Sequence, residues 1–178
     1  VRRLARSVPG SGGSGREASQ AAVSTRLTPE HQAIRLLIHR PDELAAHLDP
    51  VLFGDLTART AYQALAGHED LHAAREAAGG GSADLLGRLA VQDATDDDPV
   101  GVVHRLVSLA AERAAVELEA EARESGDLAS YHLPISYLRT AIIGLRELPV
   151  FDENETGFEP IEALLRWLVE YSEGRADG

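Results

Sequence analysis

The chain contains no cysteine, no methionine and no lysine, and aromatic residues fill only 4% of its 178 positions. Without cysteine there can be no disulfide, no thiol nucleophile and no thiolate metal site, an absence that fits a cytoplasmic protein. With so few rings, the core has to be aliphatic. The 44% hydrophobic content, rich in Ala and Leu, is enough for one and favours helices. No stretch approaches the roughly 18 unbroken apolar residues of a membrane span. The first 27 residues also lack the apolar centre of a signal peptide.

All 17 basic residues are arginine, against 29 acids, for a net charge of −12. Residues 1–26 hold five Arg and one Glu, whereas the rest of the chain holds 12 Arg and 28 acids. A folded part so acidic repels phosphate backbones, which argues against direct nucleic-acid binding by it. The run Val8-Pro9-Gly10-Ser11-Gly12-Gly13-Ser14-Gly15 is too rich in Gly and Ser to fold, so residues 1–26 read as a disordered linker. A linker in this position, with no Met ahead of it, suggests that another segment once preceded it.

Helical signals follow in close order. Thr28-Pro29-Glu30 supplies a cap and a first-turn proline, and Ile34, Leu37 and Ile38 form an apolar face that ends at Arg40-Pro41. A short second helix is expected over Pro41–Leu48, a core plug at Val51-Leu52-Phe53, and a third helix over Asp55–Ala66. A fourth spans Glu69–Ala78 and stops at Gly79-Gly80-Gly81, after which Ser82 caps a fifth bearing Leu85, Leu86 and Leu89. Asp96-Asp97-Asp98-Pro99 opens a long helix to about Glu124, with Val102, Leu106, Leu109 and Ala110 on one face. Gly126-Asp127 turns the chain back.

The returning segment spaces Leu128, Tyr131, Ile135, Leu138, Ile142 and Leu145 at alternating steps of three and four, a heptad-like seam. Pro134 inside it is expected to kink or split the helix. After Pro149 come an acidic loop and an amphipathic helix from Pro160 to about Glu173. No strand-like alternation occurs. The fold class is therefore all-α: a globular helical bundle over 27–95, a long helix and helical hairpin over 96–149, and an acidic loop with an extra C-terminal helix over 150–178.

Four motif matches bear on chemistry, of which the Asp96–Asp98 run could attract a cation but is explained more readily as a helix cap. His68-Glu69-Asp70-Leu71-His72 fits H-E-x-x-H, in which two imidazoles one helical turn apart hold zinc and the Glu activates its water. Against this small zinc hydrolase stand Gly67 just ahead of the motif, the charge of Asp70, and the lack of a strand to align a substrate. An exposed helix start accounts for the same residues. Gly10–Gly15 fits G-x-G-x-x-G but has neither the strand before it nor the helix after it that dinucleotide binding needs. Asp152-Glu153-Asn154-Glu155-Thr156-Gly157 matches half of an EF-hand loop, but Ala163 stands where the bidentate Glu belongs. No catalytic set, metal site or cofactor is expected.

Taken in order, several segments resemble the C-terminal helicase-binding region of DnaG-type bacterial primases. They are the opening Pro29-Glu30-His31-Gln32-Ala33-Ile34-Arg35-Leu36-Leu37-Ile38-His39-Arg40-Pro41, then Leu52-Phe53, Tyr62-Gln63-Ala64-Leu65 and Leu85-Leu86-Gly87-Arg88-Leu89-Ala90. The long helix from Pro99, the turn Gly126-Asp127-Leu128 and the closing Leu145-Arg146-Glu147-Leu148 complete the pattern, which covers roughly residues 28–148. The resemblance implies a non-catalytic module whose hairpin grips the N-terminal domains of the replicative hexameric helicase and brings primer synthesis to the fork. The family's cysteine-bound zinc module and its polymerase module have no counterpart in this chain. Leu128, Tyr131, Leu138, Ile142 and Leu145 are then the expected partner-binding residues, shared between the hairpin's own packing and the partner. A generic adaptor that self-associates through the same seam is the alternative.

Overall fold

The computed structural model describes residues 27–94, 97–147 and 159–176. Eight α-helices and no strand occur among them: α1 Pro29–His39, α2 Pro41–Leu44, α3 Leu56–Gly67, α4 Leu71–Ala78, α5 Gly80–Ala90, α6 Pro99–Ser125, α7 Leu128–Glu147 and α8 Glu159–Ala176. Two 3-10 turns, Ala45–His47 and Pro50–Leu52, link α2 to α3. No helix of the described residues is long and apolar enough to cross a membrane.

Short polar side chains set most of the boundaries. Thr28 accepts from the amide of His31, Asp55 from that of Ala58, and Asp98 from those of Val100 and Gly101. Each satisfies amides that a helix start would otherwise leave unpaired. Gly126, in the left-handed region at φ 71°, ends α6 and reverses the chain.

Two expected boundaries move. α4 begins after Asp70, whose carboxylate accepts from the amide of Ala73, rather than at Glu69. α5 begins at Gly80, directly behind Gly79 at φ 61°, so Ser82 lies inside the helix instead of capping it. Ser82 is buried, and its hydroxyl donates to the carbonyl of Thr57 on α3. The expected helix over Pro41–Leu48 ends early, tightening into the 3-10 turn after Leu44.

The core is aliphatic and alanine-rich, one continuous cluster of buried side chains from Ala33 on α1 to Leu168 on α8. α6 is its axis. It buries Val102, Leu106 and Ala110 and also Val103, Val107, Ala111, Ala115 and Leu118, because helices pack on more than one side of it. Leu109, expected on the buried face, is exposed. On α1 the buried set is Ala33, Ile34 and Leu36, with Leu37 and Ile38 only partly covered. Phe53 is fully buried and stacks on Tyr62 with centroids 4.8 Å apart, while the Tyr62 hydroxyl donates to the carbonyl of Leu48 at 2.7 Å. Arg35 of α1 pairs with Asp97 just ahead of α6, tying the first helix to the start of the axial one.

α7 runs back along α6 as the second arm of a hairpin. Pro134 does not split it: the helix is continuous from Leu128 to Glu147. A proline there removes one amide bond, to the carbonyl of Ser130. Packing along α6 outweighs that single loss. Two ion pairs fix the register, Arg139 with Glu119 at 2.6 Å and Arg146 with Glu112 at 2.7 Å. α8 lies against α6 and touches α7, burying Ile161, Leu164 and Leu168.

Candidate protein-docking face

α7 has only three charged residues in 20, namely Arg139, Arg146 and Glu147. α6 and α8 both carry an excess of Glu over Arg. A helix lying on the surface normally turns a charged face to water. On α7 both faces are nearly uncharged, so burial has to decide which one packs and which is left over.

The seam side packs. Leu138 is fully buried, Ile142 and Leu145 nearly so, and Tyr131 and Ile135 are partly covered. Leu128 stands apart at the tip of the hairpin, 66% exposed. Of the five residues expected to meet a partner, Leu138, Ile142 and Leu145 are thus taken up inside the molecule, Tyr131 is shared, and Leu128 is open to solvent.

The opposite side holds Leu133, Ser136, Tyr137, Thr140, Ile143 and Gly144, all exposed, with Leu133 at 76% and Ile143 at 55%. The ion pairs set the antiparallel register, and on it Val116 of α6, also exposed, lies level with Ile142 and Ile143 between the two pairs. The outer side of α7 is therefore an uncharged strip on which Ile143, level with Val116, lies between the two guanidinium–carboxylate staples, and Leu133 and Tyr137 lie beyond them toward the tip. Of the other exposed large apolar side chains, Leu56 and Val91 stand on elements away from the hairpin, and Leu109 lies in the first half of α6. Isolated ones are normal on any protein, whereas several on one uncharged helix side make that side a candidate contact surface.

Sequence reasoning fixed on the periodic seam and passed over this strip. The signal was present, because Leu133, Tyr137 and Ile143 are apolar at positions off the seam. Tyr137 also connects the strip to α8. Its ring lies 5.6 Å from that of Trp167, which stacks on Tyr171 at 5.1 Å. At the tip, Asp127 accepts from the hydroxyl and amide of Ser130, and these bonds hold its carboxyl below the usual range.

The zinc-type motif is broken by the local backbone. His68 is extended at the end of α3, Asp70 starts the next helix, and only His72 is helical, so the two imidazoles do not share a turn. His68 Nδ1 lies 2.9 Å from the carbonyl of Ala64, and exposed His72 lies 3.6 Å from Glu76. Among the described residues no group of three or more His, Asp or Glu is placed to hold a metal ion. The Gly10–Gly15 and Asp152–Gly157 matches and Asp96 lie outside the described residues.

Compared with family models, curated proteins and solved structures, the chain has no match.

Proposed function

We propose that this chain is a non-catalytic docking module that binds a helical partner through the outer strip of its α6–α7 hairpin. The observation that carries the proposal is the uncharged outer face of α7, exposed in a protein whose other long helices are acidic. Leu133 and Tyr137, one helical turn apart, and Ile143 with Val116 level with it on α6 supply exposed apolar anchors for a partner helix. Leu128 adds an exposed apolar side chain at the tip, and Tyr131 stays shared with the hairpin's own packing. Leu138, Ile142 and Leu145 hold the hairpin rigid behind it, so little ordering cost falls on binding.

The partner we propose is the one implied by the primase resemblance, the N-terminal domains of a replicative hexameric helicase. The module would then tether primer synthesis to the fork. The test is size-exclusion chromatography of the chain with the helicase N-terminal domains from the same organism, alongside each component alone. Co-elution at defined stoichiometry supports the assignment. Separate elution, with the chain running alone as a concentration-dependent dimer, would assign the strip to self-association instead.

A further inference from the structure

Two guanidinium groups lie close together, each hydrogen-bonded to backbone carbonyls rather than to a carboxylate. Arg59 of α3 donates through Nε and Nη2 to the carbonyl of Phe53 at 2.9 and 2.6 Å. Arg113 of α6 donates through Nη2 to the carbonyls of Leu52 and Val51 at 2.8 and 3.3 Å. Three successive carbonyls at the end of the Pro50–Leu52 turn thus gather both cations. Burial lowers the Arg113 pKa, the neighbouring charge of Arg59 adds to the shift, and Glu30 and Glu117 oppose it.

Compensation within the chain is thin. The nearest carboxylate to Arg113 is Glu30, at 3.8 Å, and Glu30 already accepts from the amides of Gly54 and Asp55. Arg59 has no carboxylate partner among the described residues. Partly buried like charges hydrogen-bonded to neutral carbonyls and only partly offset by Glu30 and Glu117 are costly, and an anion placed against them relieves that cost.

Both arginines line an open cleft of about 540 Å³ between the Pro50–Leu52 turn, α3, α6 and α8. That volume falls within the range of about 300–1,000 Å³ typical of small-ligand sites. Ala110, Ala114, Leu168 and Val169 give the cleft an apolar wall. Arg175 also lines it but is committed to Glu117 and Glu121. Asp49, Glu117 and Glu173 on the rim disfavour a doubly charged phosphate over a single negative charge.

We propose that this cleft binds a carboxylate carried on an apolar stem, as the C-terminal leucine or valine of a peptide presents it. The carboxylate lies against Arg59 and Arg113, in charge-assisted hydrogen bonds, and the stem lies on the Leu168–Val169 wall. This site is separate from the hairpin strip and does not depend on it.

The test titrates the intact chain, followed by NMR, with an acetylated tetrapeptide ending in leucine. Its C-terminal amide and inorganic phosphate serve as the other two probes. The free acid should give saturable shifts at the Arg59 Nε–H and at the Ser172 amide, with the amide form at least tenfold weaker. Arg59→Gln should weaken the acid at least tenfold and leave the amide form unchanged. Arg113→Gln strips two backbone carbonyls of their donor and is liable to unfold, so the acid–amide comparison on the unaltered chain carries the test without it. Equal binding of acid and amide, no saturable shift, full binding by a folded Arg59→Gln chain, or tighter binding of phosphate would each overturn the proposal.

Discussion

Leu138 and Leu133 stand five residues apart on α7, the first fully buried and the second 76% exposed. Leucine and alanine have similar helix propensities, so replacing each by alanine isolates packing from backbone effects. Leu138→Ala removes buried methyl groups and leaves a cavity between the hairpin's arms, which costs about 2–5 kcal/mol. Leu133→Ala removes a side chain that already faces water, so its effect should stay within about 0.5 kcal/mol. With a urea dependence of about 2 kcal/mol per molar, the unfolding midpoint should fall by roughly 1–2.5 M for Leu138→Ala. For Leu133→Ala it should move by no more than about 0.25 M. Circular dichroism through a urea titration reads both, and the slope should be unchanged in each. Equal losses in the two variants, or a midpoint for Leu138→Ala close to that of the parent chain, would refute the division of α7 into a packing side and an outer side.

Pro134→Ala should raise the thermal midpoint, because it restores the amide bond to Ser130 within a continuous helix; a scanning calorimeter checks this. Gly101→Ala should lower stability although alanine is the better helix former, since its Cβ would come 2.3 Å from the Asp98 carboxylate oxygen and displace the cap of α6. Chemical denaturation measures that loss. Asp127 titrates below its ordinary value of 3.8 chiefly because the Ser130 hydroxyl donates to it. Its stabilisation is therefore complete above that value and fades as the pH falls through the lower folded-state value. Asp127→Asn should be less stable than the parent at about pH 6, with the gap narrowing below about pH 4 in urea titrations at each pH.

Much of the fold could be read from local chemistry. Thr28, Asp55, Asp98 and Gly126 mark helix ends by side-chain hydrogen bonding or by a left-handed backbone, and both causes act within a few residues. Where two local signals competed, the reading slipped. Asp70 rather than Glu69 caps α4, which leaves His68 extended at the end of α3 and the metal motif split across two helices. Gly79 and Gly80, not Ser82, open α5 because the chain turns there through positive φ. Pro134 breaks a local rule, and tertiary packing against α6 overrides it.

The proposed docking face was only half legible. Periodicity finds the side of a helix that packs, so it pointed to Leu138, Ile142 and Leu145, all of which the hairpin buries. What remains for a partner is the other side, which is visible only as a lack of charge at Leu133, Ser136, Tyr137, Thr140 and Ile143. The Arg59–Arg113 pairing had no sequence signal. It depends on α3 and α6 meeting at carbonyls contributed by a third segment.

Calorimetric titration of the helicase N-terminal domains with the parent chain and with a Leu133→Glu, Ile143→Glu double variant tests the docking surface directly. Both substitutions fall at exposed positions, so the variant should keep the parent's circular dichroism. The parent should bind saturably, and the variant should bind at least 100-fold more weakly, roughly the effect of losing about 3 kcal/mol of contact. Heat from the variant indistinguishable from that of the parent, or none from either, would contradict the outer strip of α7 as the place where this chain meets its partner.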